Sequence, residues 1–358
     1  MKIAQISPLY EAVPPQLYGG TERIVAALSD ALTELGHEVT LFSTAEARTH
    51  ARLVVCRDQA IRLDSAPLKS ELGAHLAMLH QTRQHRDAFD VLHFHLDMIH
   101  FPFFEDMAAS SVTTVHGRLD MKDLARVYAC WPEFGLVSIS DQQRAPLANA
   151  NWIATVQHGL PASLFEFSPS PRGGYLAFLG RIAPEKRLDR AIALAARSGY
   201  TLKVAAKVDP ADRDYFHTEI EPLLDHPLVE YIGEIGDTQK SEFLGNAIAL
   251  VFPIDWPEPF GLVMIEAMAC GTPVIAWNCG SVPEVVDDGV TGFIVRNEDE
   301  AIAAIHRVRL LNRLRVRRVF ERRFSAIAMA RRYLDVYAGL LRTQGESLQD
   351  AAWGTAGV

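Results

Sequence analysis

Cysteine is scarce in this chain, and its sequence shows no pattern typical of a membrane-spanning helix or of a signal peptide. The 358 residues hold four cysteines (Cys56, Cys130, Cys270 and Cys279), with no C-x-x-C pair, so neither a disulfide framework nor a cysteine zinc site is expected. No apolar run approaches the ~18 residues that a membrane-spanning helix needs. The first ten residues, MKIAQISPLY, lack a charged leader followed by a long apolar core, and they indicate a strand instead of a signal peptide. We therefore expect a cytoplasmic protein.

Positive charge is also in deficit. The formal net charge is −9, which argues against nonspecific binding to nucleic acid. Apolar residues make up 49% of the chain and charged residues 22%, so it has enough apolar side chains to build ordinary buried cores. The length suits two domains of about 150 residues each.

Strand-like and helix-like segments alternate through both halves of the chain, which predicts the α/β class with parallel, doubly wound sheets. In the first half, Thr21 is expected to cap a helix that ends at Gly36, and a second helix is expected around residues 69–86. The predicted strands are residues 2–7, 38–43, 91–95, 112–116, 136–140 and 153–157, then 175–180, 201–207, 229–233, 249–253, 273–277 and 293–295.

Residues 160–174 interrupt this alternation with prolines, serines and a glycine pair, and we interpret them as a linker between domains. The sequence thus predicts two Rossmann-like domains, residues 1–165 and 170–324, whose parallel sheets face a central cleft. Ligands are expected outside the carboxyl ends of the strands.

The segment EPFGLVMIE, residues 258–266, carries the most informative pattern. Glu258 and Glu266 flank a Pro-Phe-Gly turn that opens a helix, and such carboxylates can accept hydrogen bonds from the hydroxyls of a sugar or ribose. Gly261 lets the backbone approach a ligand, and the free amides of Gly261 and Leu262, next to Phe260, suit a phosphate. Alternatively, Glu258 is a plain turn residue and Glu266 is exposed, although its apolar neighbours leave only a narrow exposed stripe.

Two cations follow the first strand of the second half. Arg181 and Lys186 lie on the loop at that strand's carboxyl end, where they could bind a diphosphate, the arginine through two nitrogens and the lysine as a point charge. The alternative is a solvated loop in which these cations pair with Glu185 or Asp189.

Two further positions in the first half could contribute to the same site. Gly19 and Gly20 open the first helix after a long loop and could present amides to a phosphate, although they form no G-x-G-x-x-G. His116 ends a predicted strand and could bond a sugar or a developing charge, but a purely structural histidine would look the same.

Three other patterns are given structural interpretations. His93, His95 and His100 suggest a metal site, but a third ligand and the groups that would support it cannot be placed, so structural or cleft-lining histidines are favoured. Asp212-Arg213-Asp214 resembles a motif that binds a metal-diphosphate complex, yet at a helix start the two aspartates would point apart.

Residues 307–332 hold ten arginines. They could give weak contact with an anionic membrane, but a solvated helix face is the simpler interpretation.

Taken together, these segments resemble glycosyltransferase family 4, whose members are retaining enzymes of the GT-B fold. The resemblance covers most of the chain. It is carried by Gly19-Gly20-Thr21-Glu22, by His116 in TTVHG, by Gly180-Arg181 with Lys186, by EPFGLVMIE, and by GTPVIAWNCGSVPEVV with DGVTGFIV. The chain departs from common members at Val156-Gln157-His158-Gly159 and at Cys279-Gly280-Ser281-Val282-Pro283.

The resemblance implies a site for a nucleotide-diphosphate sugar. Arg181 and Lys186 would hold the diphosphate, Glu266 the ribose and Glu258 the donor sugar, and Gly20 would approach the phosphates. His116 would contact the sugar and would join Glu258, Arg181 and Lys186 in catalysis. It also implies a C-terminal helix, residues about 325–345, that completes the first domain.

The same resemblance sets the expected reaction. A sugar would pass with retention from a donor, a UDP-sugar first and GDP-mannose second, to a glycan, lipid-linked or small-molecule hydroxyl acceptor. Neither a metal nor another cofactor is expected, because the cations and helix amides can stabilise the leaving diphosphate. The acceptor, the linkage and the oligomeric state stay open. Other possibilities are a sugar-nucleotide epimerase and a noncatalytic binding module; a phosphorylase would need a pyridoxal-phosphate lysine, for which the sequence offers no candidate segment.

Overall fold

The computed structural model describes residues 1–16 and 19–354, with side chains for all of these except 344–354. The chain divides into two compact units, one formed by Met1–Gly159 together with the segment from Ala326 onward, the other by Leu160–Ser325. Each unit is built on one parallel sheet with helices between its strands. The predicted α/β class with two Rossmann-like halves is therefore confirmed.

The first unit contains a seven-stranded sheet in the order β3-β2-β1-β4-β5-β6-β7. Its central strands are buried along almost their whole length, as the apolar runs of a two-sided parallel sheet require. Its strands and first helices are β1 (Lys2–Ile6), α1 (Gly20–Glu34), β2 (Glu38–Thr44), β3 (Arg52–Arg57), α2 (Glu71–Gln84), β4 (Val91–Phe94), β5 (Ser111–Thr114), α3 (Leu124–Cys130), β6 (Gly135–Ser138) and β7 (Trp152–Thr155).

Helix α1 begins earlier than the sequence indicates. Its N-cap is Gly19, which makes no side-chain capping bond, so the prediction of Thr21 as the cap is wrong. The chain passes so close to Pro15 at this point that a Cβ on Gly19 would lie 2.7 Å from the Cβ of that proline. A glycine therefore occupies the position that a serine or threonine cap would otherwise take.

The second unit contains a six-stranded sheet in the order β10-β9-β8-β11-β12-β13. The chain builds this sheet outward from β8 in one direction and then returns to place β11 on the other side of β8, so the strand order reverses between these two neighbours. Its elements are β8 (Leu176–Arg181), α4 (Leu188–Ser198), β9 (Leu202–Lys207), α5 (Arg213–Tyr215), α6 (Glu221–Leu224), β10 (Val229–Gly233), α7 (Asp237–Gly245), β11 (Ala249–Phe252), α8 (Leu262–Ala269), β12 (Val274–Trp277), α9 (Val282–Val285), β13 (Gly292–Val295), α10 (Glu298–Arg307) and α11 (Arg313–Arg323).

All twelve predicted strands are present, with ends shifted by at most two residues. The sequence missed β3, whose RLVVCR lies at the edge of the first sheet and is only half-buried. An edge strand of this kind lacks the long apolar run that identified the central strands.

Residues 160–174 belong to the second unit. The side chain of Arg313, on α11, donates from Nε to the carbonyl of Ser168, and Arg317 donates to the carbonyls of Ala162 and Phe165. The unit boundary thus lies at Gly159. Residues 160–165, which were expected in the first domain, belong to the second unit. Prolines and serines correctly indicated an absence of regular structure, but not the unit against which the segment packs.

The last helix, α12 (Ala326–Gly354), returns to the first unit and packs against α1. Met329, Tyr333 and Tyr337 are fully buried on its inner face. Across the described residues, no helix has the length and apolar character needed to cross a membrane.

Arg313 fixes the packing of the second unit, which gives a stability prediction. Its side chain is buried and donates to the carbonyls of Ser168, Gly245 and Ala247 and to the hydroxyl of Thr272. Arg313→Met should lower the free energy of unfolding by about 3 kcal/mol or more, because each buried acceptor left without a donor costs ~1–3 kcal/mol. Chemical denaturation followed by circular dichroism measures this loss.

The matched control is Arg315→Met, on the exposed side of the same helix. It should change stability by no more than about 0.5 kcal/mol. Equal effects of the two substitutions would contradict the structural role of Arg313.

Candidate functional site

The candidate site lies in the second unit, where the strand order reverses. Arg181 is the last residue of β8, Lys186 closes the short 3-10 turn Pro184–Lys186 that follows, and Glu258 lies in the loop after β11. Because β8 and β11 are neighbouring parallel strands, these loops emerge side by side at the carboxyl edge of the sheet. Ligands of open α/β sheets bind at this kind of reversal.

Lys186 and Glu258 are in direct contact. The ammonium group of Lys186 bonds Oε2 of Glu258, and Nε1 of Trp256 donates to the same oxygen at 2.9 Å. The lysine nitrogen also lies 5.1 Å from the centre of the Trp256 ring, within the range of a cation–π contact. Two residues singled out from the sequence are thus brought together, and the sequence gave no sign of Trp256 as the third partner.

Arg181 is surrounded by carboxylates. Its guanidinium lies 2.6 Å from Oε1 of Glu185, 3.2 Å from Oδ2 of Asp212 and 3.6 Å from Oδ2 of Asp209. Arg181 thus makes the contact with Glu185 that the alternative described, whereas Lys186 contacts Glu258 instead. The sequence did not connect Asp209 and Asp212 with Arg181, because they lie beyond the next strand.

The start of α8 offers a backbone site for an anion. Gly261 is its N-cap with φ +78°, a conformation that favours glycine, and it has no side chain with which to bond the first amides of the helix. A Cβ at Gly261 would lie 2.9 Å from Cε of Met264 and 3.1 Å from the Phe252 ring. Leu262 is the first helical residue, one position after the predicted start at Gly261.

Gly280 holds the Glu258 loop in place. Its φ is +54°, and a Cβ there would lie 2.4 Å from the backbone nitrogen of Glu258. Ser281 reinforces this contact, since its amide donates to the carbonyl of Glu258 at 3.0 Å and its hydroxyl to that of Phe260 at 2.8 Å. Phe260 itself is buried and packs edge-on against Phe324, so only its backbone remains for the predicted ligand contact.

Glu266 is buried on α8, which excludes the alternative of an exposed residue. Its Oε1 lies 2.9 Å from Nζ of Lys240, on α7. Lys240 was not recognised from the sequence, because 26 residues separate it from Glu266 and no local motif joins them.

The other predicted positions lie in the first unit. Gly19 and Gly20 begin α1, as the N-cap and first helical residue. Glu22, in the first turn of the helix, is buried, and this burial raises the pKa of its carboxyl above the usual value. The loop before them includes Leu17 and Tyr18, which lie outside the described residues.

His116 belongs to a buried network of polar side chains. Its Nε2 lies 2.8 Å from Nδ1 of His95, whose Nε2 lies 2.8 Å from Oε1 of Gln5, and its ring stacks on that of His158 at 5.2 Å. Nδ1 of His116 is buried without a hydrogen-bond partner among the residues that the structure describes. Nε2 of His116 is therefore occupied by His95. Nδ1 is the ring nitrogen that could still bond a sugar.

The metal interpretation of the neighbouring histidines is not supported. His93 bonds the hydroxyls of Tyr337 and Thr114 at 2.7 Å through its two ring nitrogens, and His95 likewise uses both of its nitrogens. Within the described part of the chain, no group of three or more His, Cys, Asp or Glu could hold a metal ion.

The arginine-rich segment is partly structural. Arg313, Arg317 and Arg323 bond carbonyls or carboxylates of the second unit, so they are not available to a partner. Arg309, Arg315, Arg318 and Arg322 are exposed, beside Leu310, whose side chain is 84% exposed, and Leu314.

Comparison with known proteins gives two family matches. The model described as Glycosyltransferase Family 4 matches residues 18–195, and the model described as Glycosyl transferases group 1 matches residues 165–322. The second match includes Arg181, Lys186, Glu258 and Glu266. The two matches together span most of the chain.

Individual relatives agree with these matches. A phosphatidyl-myo-inositol mannosyltransferase of Mycobacterium leprae is 26% identical, over 98% of this chain and all of that protein. AviGT4, a glycosyltransferase involved in avilamycin A biosynthesis, has a similar structure with a TM-score of 0.72 and 24% identity, covering 96% of this chain and 98% of AviGT4. Anabaena HepE in complex with UDP and glucose gives a TM-score of 0.72 and 17% identity, covering 95% of this chain and all of that one.

The histidine network makes stability depend on pH. Burial lowers the pKa of His93, His95 and His158 well below 6.5 and that of His116 to about 3. Below pH ~6.5 the unfolded chain takes up protons that the folded chain does not, so stability is full above this pH and falls as the pH drops. The free energy of unfolding should decrease from pH 7.5 to 5.5, by up to ~1.4 kcal/mol per pH unit for each histidine.

Denaturation at a series of pH values measures this slope. His95→Gln should reduce the slope by about one proton. Stability that is constant or rises between pH 7.5 and 5.5 would contradict the neutral state of the network.

Proposed function

Because this chain belongs to glycosyltransferase family 4 and has the GT-B fold, we propose that it transfers a sugar, with retention of anomeric configuration, from a nucleotide-diphosphate sugar to a hydroxyl acceptor. The second unit binds the donor in this proposal. The observation that carries it is the meeting of Lys186, Glu258 and the uncapped start of α8 at the strand reversal between β8 and β11.

The diphosphate is assigned to the positive groups of this site. The first amides of α8 have no side-chain cap at Gly261, and a helix N-terminus favours an anion. Arg181, at the end of β8, and Lys186, in the turn after it, bring two further cations. Arg181 would exchange its contacts with Glu185 and Asp212 for phosphate oxygens, which can accept from both terminal nitrogens of the guanidinium.

These groups also account for the chemistry. Cleavage of the anomeric bond leaves negative charge on the diphosphate, and each fixed donor aimed at such charge typically lowers the barrier by ~3 kcal/mol. A divalent metal is then not required by the electrostatics. We propose a front-face displacement in which the leaving phosphate helps to deprotonate the acceptor hydroxyl, with water kept out of the site.

Glu258 is assigned to the donor sugar. Its side chain is only 13% exposed and its carboxylate is held by Lys186 and Trp256, so its orientation is fixed before a ligand arrives. Sugar hydroxyls would donate to the lone pairs that these partners leave free. His116 is assigned to the sugar as well.

The relatives support two donor classes. The HepE structure contains UDP and glucose, and the M. leprae relative is named as a mannosyltransferase. We therefore propose a UDP-sugar as the first candidate and GDP-mannose as the second. The acceptor is a glycan, a lipid-linked or a small-molecule hydroxyl, the lipid-linked class being supported by the phosphatidyl-myo-inositol in that relative's name.

Donor binding tests the proposal without knowledge of the acceptor. Titration calorimetry of the intact chain with UDP, GDP and ADP, each alone and as its sugar, should show binding of one nucleotide family. Arg181→Ala and Lys186→Ala should each weaken that binding about 10–100-fold, as expected for a lost charge-assisted hydrogen bond. The matched controls are Arg197→Ala and Lys203→Ala, which remove cations paired elsewhere in the same unit and should bind like wild type.

The outcomes separate the remaining possibilities. Binding of no nucleotide, or equal binding by all variants, would overturn the site assignment. A new nucleotide sugar formed without an acceptor would identify an epimerase. Donor binding without turnover on any acceptor tested would indicate a noncatalytic module.

The exposed arginines and leucines near α11 are proposed to give weak contact with an anionic membrane. Leu310 is 84% exposed beside Arg309, and Arg315 and Arg318 are exposed nearby. The chain should sediment at low salt with phosphatidylserine vesicles more than with phosphatidylcholine vesicles, and high salt should release it.

Leu310→Ser should weaken this sedimentation. Leu68→Ser, at a leucine of the first unit that is 94% exposed, should not. Equal sedimentation with both kinds of vesicle, or none at low salt, would rule the contact out.

A further inference from the structure

Lys240 forms a largely buried ion pair with a residue of the proposed donor site. Its Nζ lies 2.9 Å from Oε1 of Glu266 and 3.6 Å from Oδ1 of Asp237. The side chains of Lys240 and Glu266 are only 12% and 3% exposed. Lys240 lies on α7, so it reaches Glu266 from a separate element of the second unit. Burying a long lysine side chain and fixing it against a carboxylate costs side-chain entropy and hydration free energy. This cost indicates that the pair has a role in the site.

The other oxygen of Glu266 is unsatisfied. Oε2 is buried and has no hydrogen-bond partner among the described residues. A carboxylate can accept about four hydrogen bonds, and a buried acceptor without a donor typically costs ~1–3 kcal/mol. A ligand hydroxyl would supply the donor that this oxygen lacks.

The ion pair determines where that oxygen points. With Oε1 bound by Lys240, rotation of the carboxylate about its last side-chain bond is restrained, and Oε2 keeps one direction. A group held in this way binds a ligand without first losing its own freedom. Glu266 would therefore present its free lone pairs as a preformed acceptor for two neighbouring hydroxyls.

We propose that Lys240 is a positioning residue for recognition of the nucleotide's ribose: it holds Glu266 so that the carboxylate accepts from the 2′- and 3′-hydroxyls. This inference rests on the proposed function, since it assumes that a nucleotide binds beside α8. Lys240 itself touches no ligand in this account and acts only through Glu266.

The test compares a ribonucleotide with its dideoxy counterpart. Titration calorimetry of the intact chain with UDP and with 2′,3′-dideoxy-UDP gives the ratio of the two affinities, and GDP with its dideoxy form replaces them if GDP is the nucleotide bound. Wild type should prefer the ribonucleotide. Lys240→Met should weaken ribonucleotide binding about 10–100-fold and leave dideoxynucleotide binding unchanged, because the lost contacts are hydrogen bonds to a charged group.

Three further variants complete the experiment. Glu266→Gln should also reduce the preference for the ribonucleotide, and Lys240→Arg, which keeps a cation beside the carboxylate, should restore most of it. Lys203→Met is the matched control, because Lys203 forms an ion pair with Glu230 at 2.9 Å in the same unit. If Lys240→Met does not fold, Lys240→Gln, which also removes the cation beside Glu266, is measured in its place, and an unchanged ratio in that variant would overturn the role of Lys240.

The possible failures are distinguishable. If wild type binds no nucleotide, the proposed function fails. If wild type binds a nucleotide but does not distinguish the ribose from the dideoxy form, or if Lys240→Met weakens both ligands equally or preserves the ratio, the role of Lys240 is overturned while donor binding stands.

Discussion

The adjacency of β8 and β11 is the constraint on which the candidate site depends. Because the chain returns across β8 to place β11 beside it, the loops that carry Arg181, Lys186 and Glu258 emerge next to one another at the same edge of the sheet. The helix that follows then starts at Gly261 with its amides free of a side-chain cap. A different strand order would separate these groups even if every local conformation were kept.

Charge pairing is the second organising feature of the site. Lys186 is held by Glu258, Lys240 by Glu266, and Arg181 by three carboxylates. Each carboxylate offsets part of the cost of taking its cation out of water. In the proposed reaction the diphosphate takes the place of Glu185 and Asp212 beside Arg181, so that a cation already present in the site compensates part of its negative charge.

The sequence was sufficient for much of the fold but for less of the site. Apolar runs located the buried strands, and the Pro-Phe-Gly turn correctly placed the start of α8, because both signals are local. The half-buried edge strand β3 and the packing of residues 160–174 depend on what lies against them, and neighbouring residues do not encode that. Lys240, Trp256 and Gly280 were missed for the same reason, and the network around His116 joins strands to Tyr337 across more than two hundred residues.

Hydrogen–deuterium exchange of the intact chain, with and without the nucleotide sugar that it binds, tests the central claim most directly. The account predicts slower exchange in two separate segments of the second unit, residues 181–187 and 258–266, because their amides and side chains would close on the same diphosphate and sugar. Protection confined to other parts of the chain, or bound donor with unchanged exchange in both segments, would contradict it.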